Sequence, residues 1–198
     1  MAKLYYQGHG SYRITTEDGK VIYVDPYVGD GYDLPADLIL VTHQHADHNQ
    51  VELCAKKDTC RIFSNHEALA GGQPQRLSCE GIEVETVEAC NVNHNPKECV
   101  GFIIKTDGIQ IYASGDTSKT EQMKTFAARK LDVALFPCDG VYNMDLAEAA
   151  ECAALVGARC NIPIHMIPGA LFDRARAESW TAPNRTILEP GEEIQLGS

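Results

Sequence analysis

Three imidazoles and one carboxylate fall within six residues in Thr42-His43-Gln44-His45-Ala46-Asp47-His48. The whole chain of 198 residues holds seven histidines, so a cluster this dense is a built feature. His43 and His45, two positions apart, share one side of an extended backbone. Asp47 and His48 open the following segment, read as the start of a helix, and can project toward a second point close by. Neutral imidazole and carboxylate, with no cysteine among them, form a donor set that suits zinc, iron or manganese. Three further candidates stand elsewhere: His94 in the polar loop 91–96, Asp116 in Ser114-Gly115-Asp116-Thr117, and His165 after Ile162-Pro163-Ile164. Taken singly, each has an ordinary alternative: a solvated loop residue, a helix cap and a hydrogen-bonded core histidine, respectively.

These residues need rigid supports, and the chain supplies strands that end where the candidates begin. Residues 4–7, 12–16 and 21–24 are short β-type runs, with Glu17-Asp18-Gly19 at a hairpin turn. Residues 37–42 are almost uninterrupted apolar, as expected of a strand covered on both faces, and they lead straight into His43. A short helix is expected over 49–57, a strand over 61–64 and a helical turn over 65–70. Alternation over 82–87 predicts a strand before the His94 loop, and 101–105 with 109–112 flank Asp107-Gly108, a hairpin signal. Asp116 follows the second of these strands. Ser118 with Glu121 has capping-box spacing for a helix. Then come a strand over 131–136, a helix over 145–156, a strand over 160–164 ending at His165, and β-type segments at 186–188 and 194–196. Strands with embedded helices in both halves imply two sheets with helices outside, a four-layer αββα arrangement over one domain spanning 1–198.

The string THQHADH resembles the H-x-H-x-D-H signature of the metallo-β-lactamase superfamily, and His94, Asp116 and His165 follow in that family's order. Within it the chain is similar to the branch containing L-ascorbate-6-phosphate lactonase. The carriers are Gly8-His9-Gly10-Ser11, Val24-Asp25-Pro26, the stretch from Leu131 to Pro137, and Ile162-Pro163-Ile164-His165. The resemblance implies that His43, His45 and His94 hold one metal, Asp47, His48 and His165 a second, and that Asp116 bridges them. It leaves His9 either lining the site or making a structural hydrogen bond. Asp25 either accepts a hydrogen bond from a ligand imidazole or holds a loop, with a turn residue before Pro26 as the ordinary alternative, and His66 stands outside the chemistry.

Two divalent ions, zinc first and manganese, iron or nickel as alternatives, can share a water, lower its pKa and present hydroxide to a carbonyl. Asp47 and Asp116 are the candidates to orient that nucleophile and move a proton to the leaving group. The expected activity is therefore hydrolysis of a small ester, lactone or related substrate. Phosphodiester or nucleic-acid cleavage is the alternative, and di-iron redox chemistry a more distant one. Tyr27, Tyr32, Tyr142, Asn143 and Phe172 are candidate lining residues; Arg13, Lys119, Arg174 and Arg176 could meet a phosphate or simply be solvated. A net charge of -11 weighs against a nucleic acid or an anionic membrane as partner, leaving a small molecule. Eight scattered cysteines, no C-x-x-C pair and no apolar run of signal or membrane-span length give the expectation of a cytoplasmic protein with reduced thiols.

Overall fold

The computed structural model describes residues 1–197; Ser198, the last residue of the expected domain, lies outside the described residues. The strands are β1 (Lys3–Gly8), β2 (Ser11–Thr15), β3 (Val21–Val24), β4 (Ala36–Val41), β5 (Lys56–Ser64), β6 (Arg76–Cys79), β7 (Ile82–Glu88), β8 (Val100–Thr106), β9 (Ile109–Ala113), β10 (Val133–Pro137), β11 (Cys160–Ile164) and β12 (Glu193–Gln195). The helices are α1 (Asn65–Ala68), α2 (Leu146–Val156) and α3 (Arg174–Ser179). The strands form two six-stranded mixed sheets, ordered β12-β1-β2-β3-β4-β5 and β11-β10-β9-β8-β7-β6. β3, β4 and β5 run parallel, as do β9, β10 and β11. Parallel strands bring their carboxyl ends together; the loops leaving β4, β9 and β11 carry every candidate ligand but His94, which lies in the loop between β7 and β8.

The two sheets pack face to face over one core. Leu4, Tyr6, Ile14, Ile22, Leu38 and Leu40 from the first meet Val84, Phe102, Ile104, Ile111, Leu135 and Ile162 from the second, all buried. Each such side chain contributes about 1.5–3 kcal/mol by leaving water. β4 alternates within an all-buried strand: Leu38 and Leu40 face this core, while Ile39 and Val41 face a smaller cluster with Tyr23, Tyr32 and Cys54. That double burial is why 37–42 reads as continuously apolar. The outer face of the second sheet is covered by α2, α3 and the 3₁₀ run Glu121–Arg129, through Met123, Phe126, Ala149, Cys152, Ala153, Val156, Ala177 and Trp180. In α2, Ala149, Cys152, Ala153 and Val156 are spaced as one helical face; Asp145 caps its start and Gly157 closes it in the left-handed conformation. The outer layer of the first sheet is thin, a loop through Tyr32 and the 3₁₀ turn Val51–Leu53.

Several local expectations are corrected. The helix expected over 49–57 is only that single turn, because Ala55 is claimed by extended pairing: its N–H donates to the Tyr32 carbonyl and its carbonyl accepts from the Ala36 N–H. The chain then runs extended through all of β5, an exposed edge strand whose Lys56, Lys57, Asp58 and Arg61 discourage further pairing. Asp47 and His48 sit not at a helix start but in a tight turn closed by the His48 N–H on the His45 carbonyl, 3.0 Å. Ser118 caps nothing; its N–H donates to the Cys90 carbonyl, and the 3₁₀ run begins after Thr120 without a side-chain cap. Residues 186–188 make no strand, whereas β6 and α3 were not anticipated. The Asp107-Gly108 hairpin stands, with φ of 50° and 75° as a type I′ turn requires. All eight cysteines are free. Among the described residues no helix is long and apolar enough to cross a membrane.

Candidate metal centre

The site lies at the carboxyl ends of strands from both sheets, where residues leave the ladders and can turn toward one point. His9 follows β1, Asp25 follows β3, His43 follows β4, Asp116 follows β9 and His165 follows β11. His9, Asp25 and His165 hold left-handed backbone conformations, with φ of 54°, 47° and 44°. For residues other than glycine this costs about 1–3 kcal/mol each, and it persists where the surroundings enforce it, often at functional sites. Gly115 turns the chain so that Asp116 reaches the centre. At its φ of +63° a Cβ would lie 2.6 Å from the Val100 carbonyl oxygen, so the space there belongs to neighbouring backbone.

Donor atoms converge in adjoining groups. His43, His45 and His94 form one, with ring centroids 4.5–5.0 Å apart. Asp47, His48 and His165 form another, with His9 beside them. Asp116 stands between: its Oδ2 is 3.3 Å from His94 Nε2 and 3.4 Å from His165 Nε2, and its Oδ1 is 3.4 Å from His48 Nε2.

The proton positions test whether cations fit. His48 Nδ1 is 2.9 Å from Asp25 Oδ2, a carboxylate that can only accept. His94 Nδ1 is 2.9 Å from Asn91 Oδ1, whose amide nitrogen is already spent on the Tyr142 carbonyl and Asn143. His43 Nδ1 is 3.0 Å from Thr42 Oγ1, whose own proton goes to Asp25 Oδ2 at 2.7 Å. In each ring Nδ1 therefore carries a proton, and the neutral form leaves the Nε2 lone pair for a cation. The Nε2 atoms of His43, His48, His94 and His165 are buried without a hydrogen-bond partner. Lone pairs and carboxylate oxygens that face one another away from water call for positive charge between them, and divalent cations fit.

The electrostatics agree. Burial pushes the His43 imidazole down to about 2, keeping it neutral as a ligand must be. Burial opposes charge on His165 too, but Asp116, Asp139 and Asp47 outweigh it and raise that imidazole to about 10. Burial works against ionised Asp116, yet the surrounding His48 and His165 hold its carboxyl well below the usual range. Asp47 is also held low, its burial outweighed by the neighbouring His165, His9 and His48 imidazoles. The pocket is thus set to hold positive charge.

The chain matches a beta-lactamase superfamily domain over residues 3–165. It belongs to the beta-lactamase superfamily. Among curated relatives, a UPF0173 metal-dependent hydrolase of Alkaliphilus metalliredigens is 28% identical over 82% of this chain and 84% of its own. One from Pyrococcus furiosus is 29% identical over 99% of this chain and 100% of its own. Among solved structures, the fold is shared with Igni18, a metallo hydrolase of Ignicoccus hospitalis. Its TM-score is 0.76 at 24% identity, covering 98% of this chain and 97% of that one.

All seven ligand candidates of this superfamily member come together, and Asp25 serves in both ways that its position allows. It accepts from the Thr42 N–H at 2.7 Å, fixing the loop, and from His48 Nδ1. Asp139 was missed. Its Oδ2 lies 3.1 Å from His165 Nδ1 in an ion-pair contact, while its Oδ1 accepts from the N–H groups of Val141 and Tyr142, both at 2.6 Å. Its one cue is placement at the β10 exit before Gly140, the mirror of Asp116 after Gly115. A cavity of about 250 Å³ opens beside the first donor group, lined by Gln44, Asn65, Asn93, Asn95 and Glu98. Exposed His66, set aside by the sequence, stands on its wall. A second cavity of about 190 Å³ over Asp47 and Asp116 is lined by Asn93 and Tyr142. Tyr27 packs 5.2 Å from the His9 ring. Tyr32 is core, Asn143 supports Asp139, and Phe172 packs against the cores.

Proposed function

We propose that this metal-dependent hydrolase of the beta-lactamase superfamily uses water at a two-metal centre to cleave a small, uncharged ester or lactone. The observation that carries the reading is the convergence of four unpartnered, buried Nε2 atoms on two carboxylates. His43, His45 and His94 would hold one ion, Asp47, His48 and His165 the other, with Asp116 between. Such a pair, zinc or alternatively manganese, iron or nickel, supplies Lewis acidity and a water of lowered pKa. Asp116, only 5% exposed, is committed to holding the centre together. Asp47, 35% exposed and facing the second cavity, would offer its second oxygen to take a proton from the attacking water and return it to the leaving oxygen. Tyr142 and Asn93 flank that cavity and would orient the substrate.

Charge supports the uncharged substrate. Among the described residues neither cavity is lined by lysine or arginine. The cations weighed as phosphate contacts are occupied: Arg13 with the Gly31 carbonyl, Lys119 with Glu151, Arg174 with Glu178 and Glu189, and Arg176 with the Cys138 carbonyl. The acidic surface likewise favours a small-molecule partner over a polyanion or a membrane. The test is metal analysis of the protein followed by a panel of lactones, carboxylic esters, thioesters and phosphodiesters. About two equivalents of metal and turnover of a lactone or ester are expected. Preference for phosphodiesters would overturn the substrate reading, and less than about one equivalent after reconstitution the two-metal reading.

A further inference from the structure

We infer that His9 is itself a ligand of the second donor group, making that site closed and the first one open. The inference rests on the metal reading proposed above. His9 leaves β1 in a left-handed conformation, fixed on every side: its N–H donates to the Leu171 carbonyl at 2.6 Å, and its carbonyl accepts from Tyr6 Oη and from the His165 N–H, both at 2.8 Å. Its ring is almost fully buried, with Nδ1 3.0 Å from the Ala170 carbonyl. A carbonyl oxygen only accepts, so Nδ1 carries the proton and Nε2 presents a lone pair. In the neutral ring that lone pair faces Asp47 Oδ2 at 3.2 Å, a contact that a proton bridges when no cation is bound. The arrangement repeats that of His43, His48 and His94, with Nδ1–H anchored on an acceptor and Nε2 turned inward.

The distances fit a shared ion. Tetrahedral donors about 2.0–2.2 Å from a cation lie roughly 3.3–3.6 Å from one another. Asp47 Oδ2 is 3.2 Å from His9 Nε2 and 3.6 Å from His165 Nε2, and the donor atoms of His9, Asp47, His48 and His165 all fall within 4.8 Å of each other. The second site then has four protein donors besides Asp116. The first has three, one of them the exposed His45, and through His45 and His94 it borders both cavities. Closed shells hold metal structurally, while open ones leave a position for water and substrate. The two ions would therefore bind with different affinities, the tighter at the His9 site, and substrate would engage the first.

The test uses metal-stripped full-length protein titrated with cobalt(II), read by proton NMR of the paramagnetically shifted histidine Nδ1–H signals and by calorimetry. The four rings whose Nδ1–H is hydrogen-bonded to an acceptor (His9, His43, His48 and His94) should each give one protected, shifted signal. Two affinity classes are expected. In His9→Asn, whose side chain tolerates the left-handed backbone and whose amide can still meet Ala170, one shifted signal should vanish. The tighter class should weaken at least about tenfold, the scale on which even outer supports of a metal act. A wild type that takes up two equivalents while the His9 ring, assigned through its contact with Tyr27, shows no contact-shifted Nδ1–H signal overturns the role of His9, even if the variant fails to fold. Unchanged affinities in a folded variant would do the same. A wild type that takes up no cobalt overturns the metal reading itself.

Discussion

Asp25 offers the most discriminating perturbation of the supports behind the metal centre. One buried carboxylate accepts from the Thr42 N–H and hydroxyl, both at 2.7 Å, and from His48 Nδ1 at 2.9 Å. Asp25→Asn keeps the size and tolerates the φ of 47°, so the backbone contributes little to the change. The new amide group must place its two hydrogens where two donors already point. If it faces Thr42, a backbone N–H is left unpaired in the interior, at about 1–3 kcal/mol. If it faces His48, the threonine hydroxyl can rotate, but the imidazole must move its proton to Nε2 and withdraw its lone pair from the centre. The expected outcome is a loss of about 1–3 kcal/mol in stability by urea unfolding of the metal-free protein. Metal affinity should fall about 10–100-fold by calorimetry. Affinity within twofold of wild type would refute the claim that Asp25 sets the His48 tautomer.

Other outcomes follow from the same geometry. Asp47→Ala and His43→Ala should each abolish turnover while leaving the fold intact by circular dichroism; activity retained in both would sink the mechanism. Gly115→Ala should lower the thermal midpoint, at about 1–2 kcal/mol for the left-handed backbone alone and more for the 2.6 Å approach to the Val100 carbonyl; an unchanged midpoint would contradict that crowding. In metal-free protein, His165 is raised from 6.5 to about 10, so its contribution is complete below about 6.5 and lost as pH climbs toward 10. His43 is lowered to about 2 and the carboxyls of Asp47, Asp116 and Asp139 are also depressed. Stability is therefore lost on the acid side too, first below about 6.5 through His43 and then below about 4 through the carboxyls. Urea midpoints measured with a chelator present should peak near neutrality, and a flat profile from pH 6.5 to 10 would refute the balance.

The metal-ligand candidates were legible because metal chemistry restricts donor types so strongly that THQHADH has few other uses. Asp116 and His165 were candidates because strands end just before them, and His94 because it stands in the polar loop after one. His9 stayed open because its role depends on a backbone φ and on Ala170, far along the chain, and neither leaves a local pattern. Asp139 stayed hidden for a related reason: a single aspartate before a glycine also describes an ordinary turn. Among the elements, strands with apolar runs were read well, since burial writes itself into composition. The helix expected over 49–57 failed because pairing of Ala55 with Tyr32 and Ala36 outweighed a weak local preference. β6 depends on pairing with β7 across Glu80-Gly81, and its half-exposed residues give little apolar signal.

The donors come from both layers of the sandwich: His9, His43, His45, Asp47 and His48 from loops of the first sheet, His94, Asp116 and His165 from loops of the second. Ions held among them would act as clasps across the seam, joining the two halves of the chain at one end while apolar packing joins them elsewhere. Loading and unloading would then be mechanical events as well as chemical ones. Withdrawing the metal should speed amide hydrogen exchange at the carboxyl ends of β4, β9 and β11 while leaving their opposite ends protected, a gradient along single strands rather than a uniform loosening.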